Sequence, residues 1–238
     1  MRLVIVAVIA SSVVCQGMSA PVPAPVPTKA QTAQSRMTES RVTREDDAGA
    51  RYRYLFENDR FTTPRMEVEF DAGGKGHFRF TRKGEPEIDN QLSVSSALVA
   101  RVQGLLSGLN FLASNEDYQF KKDFSHLGQI TITAAQGGQE RSATFNYTTN
   151  EAMNQLVDIF RGIATQETRV FEIETVRSND PISTPAQLRL LESELKSRRI
   201  AEPKRFVPLL DEIRQDESVP LIARNHAERL IQLINKGK

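Results

Sequence analysis

The side chains of this chain that could do chemistry are few, and they gather in three places. Histidine is the commonest source of acid–base and metal chemistry near neutral pH, and here there are only His77, His126 and His226, at spacings that match no metal-binding motif. Glu67, Glu69 and Asp71 occur at every second position, so an extended strand puts all three carboxylates on one face. Carboxylates so placed can ligate calcium or serve as acid and base in glycoside hydrolysis. The run then turns through DAGGKG (71–76) and brings His77 back towards them. An Asp71–His77 pair would orient an imidazole of the kind that activates a nucleophile. No serine or cysteine is placed near it for that purpose. Arg79 and Arg82 oppose the carboxylates, so a charge row on a half-buried strand accounts for the same residues. The glycines of 71–76 lack the lysine–serine ending and the following helix of a phosphate loop, and hairpin turn chemistry explains them.

The second place is basic. Lys196, Arg198, Arg199, Lys204 and Arg205 cluster where one helical pattern stops and the next begins, a site that could attract phosphate, nucleic acid or an acidic envelope polymer. Helix C-termini favour cations in any case, and Glu194 and Glu202 dilute the patch. The third is Arg224, Asn225 and His226, one turn of the last helix beside Asp216 and Glu217, where local pairing is the expectation. No residue set asks for a cofactor or a metal. With 31 basic and 30 acidic residues, no global field draws the chain to nucleic acid or to a membrane surface.

The elements that must position these residues are read from periodicity. RYRYLFE (51–57) and MEVEFDAGGKGHFRFTR (66–82) alternate around a glycine-rich centre, which is a hairpin signature. Met66, Val68 and Phe70 must share a face with Phe78 and Phe80, so the loop around Gly74 is odd in length. That register sets Asp71 across from His77 and Glu69 across from Arg79. From Ser93, a predicted cap, Val94, Leu98, Val102, Leu105, Leu109 and Leu112 recur at helical spacing. A second hairpin, 129–147, turns at Gly137–Gly138 with Ile130, Ile132 and Ala134 inward against Ala143, Phe145 and Tyr147. Its outward pairs are Thr131 with Thr144 and Thr133 with Ser142. Asn150 or Thr149 starts a second helix through Met153, Leu156, Val157, Phe160 and Ile163. Residues 166–178 fit either a strand or a continuation of that helix, and we read helix.

Asn179-Asp180-Pro181 breaks the chain. Thr184 caps a helix to about Arg199, with proline at its first position and Gln187 completing a capping box. Pro203 starts a further helix and Ser218 the last. The predicted class is α+β: two hairpin–helix units (51–178) forming an antiparallel sheet covered by helices, then a small C-terminal helical unit (184–238).

Ahead of the fold, residues 1–19 read as an export signal. Arg2 is the charged start, Leu3 to Val14 the apolar core, and cleavage after Ser19 leaves small residues at the peptidase positions. The apolar run is shorter than the roughly 20 residues a bilayer demands. Val14 before Cys15 departs from a lipidation motif. After cleavage no cysteine remains, which removes disulfides and thiolate chemistry together. Alternating prolines (21–27) and a polar stretch to Ala50 make residues 20–50 a predicted spacer and disordered linker.

RFVPLLDEIRQDESVPLIARNHAERLIQLI (205–234) resembles the paired helices of a HEAT-type repeat. Such repeats need neighbours, so one pair implies a capping helical hairpin. The hairpin–helix pattern also resembles small exported bacterial proteins of uncharacterised function, which implies an address and no activity. The leading expectation is a secreted or periplasmic, non-enzymatic interaction or scaffolding module, with an envelope or extracellular protein or polymer as partner. The alternatives are a hydrolase built on His77, Asp71 and Glu69, and an anionic-polymer binder at the basic helix junction.

Overall fold

Every second residue of RYRYLFE is aromatic, and a strand puts such residues on one face. Tyr52, Tyr54 and Phe56 are buried in this way along β1 (Arg51–Glu57), near the middle of a six-stranded antiparallel sheet. The structure is a computed structural model that describes residues 49–237, all within one compact unit. The export signal, Cys15 and the proline-rich stretch lie outside the described residues. The other strands are β2 (Arg65–Asp71), β3 (Lys75–Thr81), β4 (Ile88–Ser93), β5 (Gln129–Gln136) and β6 (Gln139–Phe145), in the order β4-β3-β2-β1-β5-β6. The α+β class read from the sequence is the class observed.

Among the described residues five α-helices complete the fold: α1 (Ser96–Gly108), α2 (Glu151–Asn179), α3 (Thr184–Lys196), α4 (Phe206–Gln215) and α5 (Leu221–Lys236). α1 and the first half of α2 cover one face of the sheet, burying Val102, Met153, Leu156, Phe160 and Ile163 against Phe70, Phe78 and Phe80. A second core of Ile173, Leu188, Leu191, Phe206, Leu210 and Ala227 holds the C-terminal helices together. α2 supplies both cores. Residues 166–178 are helical because Ile173 and the partly buried Val170 keep the 3.6-residue period into the second core.

Several local expectations are corrected. The β2–β3 register places Glu69 opposite His77 and Glu67 opposite Arg79, two residues away from the predicted pairing. Alternation fixes only which face a residue takes, and a shift of two preserves the face. The turn itself decides the register: Asp71 O accepts from Gly74 N at 2.9 Å, and Asp71 Oδ1 from Lys75 N at 2.9 Å. β4 was not foreseen, since IDNQLS offers only Ile88 and Leu92 as apolar residues and forms a sheet edge. Ser93 closes that strand, and the cap of α1 is Ser95, whose hydroxyl accepts from Leu98 N at 3.2 Å. Tyr147 lies beyond β6 and is exposed. Asn150 does cap α2, accepting from Met153 N at 3.0 Å, and the Thr131–Thr144 and Thr133–Ser142 rungs form at 3.0 and 2.7 Å. α3 is preceded by a turn of 3₁₀ helix and stops at Lys196; α4 and α5 start at Phe206 and Leu221 rather than Pro203 and Ser218.

Candidate functional site

The uncovered face of the sheet carries the acidic residues picked out by the sequence. Glu67 is 4% exposed although it points away from the helices. Its carboxylate accepts from Arg53 Nε and Nη2 at 3.0 and 3.1 Å, from Arg65, and from Arg79 Nη1 at 3.2 Å. Burial alone would raise its pKa, but the arginine hydrogen bonds from Arg53 and Arg65, and their charges, hold it below the ordinary value. His77 meets neither Asp71 nor a nucleophile. Its Nδ1 lies 2.8 Å from Asp89 Oδ1, across the β3–β4 pair, and the hydrogen bonds from His77 and Arg79 keep the Asp89 carboxyl below its usual range. Asp71 is engaged in its own turn and Glu69 stands 3.6 Å from Arg79. This face is a lattice of paired charges in which, of the arginines that meet Glu67, Arg65 alone leaves a buried nitrogen, Nε, without a hydrogen bond. Among the described residues no group of three His, Cys, Asp or Glu is arranged to hold a metal ion, and no helix is long and apolar enough to cross a membrane.

The other histidines are placed apart. His126 sits in a 3₁₀ turn ahead of β5, with its ring 6.1 Å from that of Phe124. His226 is buried on α5, its Nε2 3.0 Å from Glu192 of α3 rather than beside Asp216. Asp216 pairs with Arg177 at 3.0 Å.

The five cations of the basic junction separate. Lys196 donates to Glu192 at 2.6 Å, and Arg205 reaches Glu167 at 3.1 Å and the carbonyl of Ser93. Lys204 is exposed. Only Arg198 and Arg199 enter a cleft of about 770 Å³ between the sheet and the helices.

That cleft is built from four elements. Its floor is the inward face of β1 and β2, with Tyr54, Phe56 and Met66. One wall is α2, with Arg161, Thr165 and Arg169 one turn apart. The other is the segment Ser197–Arg199 after α3. That segment is pinned to α2 where Gly162 leaves no side chain: an added Cβ would lie 3.2 Å from Ala201 N. Gln166 Oε1 accepts from Glu202 N at 2.9 Å and fixes the far end. Phe61 and Leu127 form the lip and are 47% and 41% exposed. The Phe61 ring lies 5.7 Å from that of Phe56, which continues the apolar floor outward.

Four arginines and two carboxylates face this space. Arg169 is bound to Glu194 through two hydrogen bonds of 2.9 and 2.8 Å. Arg161, Arg198 and Arg199 form no ion pair among the described residues, and Asp158 is the remaining carboxylate on the wall. Burial pushes the Tyr54 hydroxyl above its ordinary value, opposed by the neighbouring Arg161 guanidinium. Arg198 also has φ +56°, in the left-handed region. It occupies the residue after the helix cap, where Arg199 N bonds Glu194 O at 2.9 Å and Arg198 N bonds Leu195 O at 3.1 Å. Glycine usually fills that place.

No family model and no curated protein matches this chain.

The sequence pointed to Arg198 and Arg199 and missed Arg161, Phe61 and Leu127, which no common motif or period joins. Arg198 is also held against its backbone preference, so Arg198→Gly should stabilise the fold by about 0.5–1 kcal/mol, the left-handed penalty less the entropy glycine adds to the unfolded chain. A urea titration checks this: the midpoint rises with an unchanged slope.

Proposed function

We propose that this chain is a non-enzymatic interaction module of the cell envelope or exterior, exported through residues 1–19, which holds its partner in the cleft between the sheet and the C-terminal helices. One observation carries the reading. Phe61 and Leu127 stand exposed at the lip of the same concavity into which Arg161, Arg198 and Arg199 bring charges with no carboxylate paired to them among the described residues. Apolar surface and charge left unsatisfied together are what a binding site presents before its ligand arrives. The hydrolase alternative draws less support: Glu69, Asp71 and His77 line one concavity, but His77 is bonded to Asp89, Asp71 accepts from Lys75 N in its own turn, Glu69 stands 3.6 Å from Arg79, and no serine, threonine or cysteine joins them in its lining.

A photoreactive benzoylphenylalanine in place of Phe61, in the full chain made by its own cells, tests the reading. A cross-linked adduct of discrete mass is expected, and it should disappear when Arg198→Glu is added. The same group in place of Thr133, on the uncovered sheet face, should give none. Equal adducts from both positions, or none from either, would overturn the reading.

A further inference from the structure

The cleft offers a partner three things at once, and their arrangement narrows the partner's chemistry. The floor is aromatic and aliphatic, continued to the surface by Phe61 and Leu127. The guanidiniums come from two elements, Arg161 from α2, where it neighbours the Tyr54 hydroxyl, and Arg198 and Arg199 from the segment after α3. Thr165 and Thr168 lie along the α2 wall between Arg161 and Arg169 and add short hydroxyls that can donate or accept.

We infer that the cleft takes an extended acidic segment of a partner protein, with one large apolar side chain seated on Phe56, Phe61 and Leu127 and flanking carboxylates on Arg161, Arg198 and Arg199. The inference rests on the interaction-module reading and names its ligand. Charge complementarity decides the sign. Glu194 is already held by Arg169, so Asp158 is the single carboxylate left to answer three guanidiniums, and an entering anion meets a surplus of positive charge. Planar guanidiniums accept carboxylates in paired hydrogen bonds and set their orientation as well as their charge.

A purely anionic polymer would use the walls and leave the floor exposed to water. A purely apolar ligand would use the floor and bury three charges without partners, which costs more than it returns. A segment carrying both satisfies both.

Arg198→Gly gives an unusually clean test, because the variant should be at least as stable as the parent. Loss of binding then cannot come from loss of the fold. A displayed library of random twelve-residue peptides is selected on the immobilised full chain. The enriched peptides should share a large apolar residue flanked by Asp or Glu within two positions. Titrated by calorimetry as free peptides, they should bind Arg198→Gly about tenfold or more weakly, the usual size of a charged hydrogen bond converted to affinity. Phe61→Ser should weaken them by a similar factor. Added salt should weaken binding several-fold, since the arginines are exposed to screening.

Enrichment of neutral or basic peptides, or of peptides indifferent to both variants, would overturn the inference. So would dextran sulfate that binds at the cleft as tightly in Phe61→Ser as in the parent, which would mark a site that reads charge alone. If no acidic peptide is enriched while the adduct at position 61 still depends on Arg198, the interaction reading stands and this inference fails. If the adduct is absent as well, both fail.

Discussion

Phe160→Ala is expected to cost about 3–5 kcal/mol, the range for removing a large aromatic side chain from a core that cannot close over the space. Phe160 is 1% exposed and sits where α2 crosses the sheet. Its ring stacks on Tyr54 at 5.6 Å with the planes 10° apart, and meets Phe70 at 5.7 Å. Aromatic pairs at such distances add to the burial term. Collapse cannot refill the space, because Tyr54 and Phe70 are fixed by pairing on both sides in the middle of the sheet. Tyr54 is also the floor of the cleft, so the variant should loosen the proposed site along with the fold. Equilibrium unfolding in urea reads the cost, and Phe160→Leu, which keeps most of the volume, should lose less than half as much. A loss under about 1 kcal/mol for the alanine variant would mean that α2 does not rest on the sheet as described.

What the sequence revealed and what it hid both follow from the range over which its signals act. Alternation is a local property, and it located β1, β2, β3, β5 and β6 and assigned the faces of β2, β3, β5 and β6. It could not fix the β2–β3 register, because Asp71–His77 and Glu69–His77 pairings put the same residues on the same sides. The choice was made by the Asp71 side chain bonding Lys75 N, a turn detail below the resolution of a hydrophobic pattern. The helix reading of 166–178 succeeded for a related reason. The 3.6-residue period of α2 persists while the surface it faces changes from the sheet to α3 and α4, so the pattern reports the helix and not its partner.

The cleft depends on contacts distant in sequence and was largely invisible. Phe61 lies in the β1–β2 loop, Leu127 before β5, Arg161 on α2 and Arg198 after α3. Each is unremarkable where it stands: one exposed apolar residue in a loop or one arginine on a helix surface carries no signal. The basic run at 196–205 was legible as a run, but composition could not show that its members diverge. Lys196 lies one turn from Glu192 and Arg205 faces Glu167, whereas Arg198 is turned aside by its left-handed backbone.

Charge on the two sides of the molecule also separates structure from the proposed binding. In the cleft Arg161, Arg198 and Arg199 form no ion pair among the described residues, whereas on the open sheet face Arg53, Arg65 and Arg79 converge on the carboxylate of Glu67. Glu67→Gln measures how much the second arrangement stabilises. Glutamine keeps the size and the hydrogen-bonding reach but removes the charge, leaving Arg53, Arg65 and Arg79 converged on a neutral group. Arg65 Nε is already buried without a hydrogen-bond partner, and the other carboxylates near these arginines, Glu57 3.5 Å from Arg65 and Asp89 3.2 Å from Arg79, are more exposed than Glu67 and compensate only in part. Breaking a buried pair by removing one partner costs about 3–5 kcal/mol, and the partial exposure of these arginines places the expected loss near 2–3 kcal/mol. The pH dependence distinguishes this from a packing effect. Glu67 has a folded pKa below its unfolded value, so its contribution is complete above the ordinary value of 4.5 and is lost only as pH falls through the depressed folded value. The difference between parent and Glu67→Gln in urea should therefore be constant from neutral pH down to about 5 and shrink below 4.5 as the parent carboxyl takes up its proton. A difference that already collapsed near pH 6 would mean that burial dominates and the pKa is raised; one unchanged at the acid limit, with the carboxyl protonated, would assign the loss to shape alone.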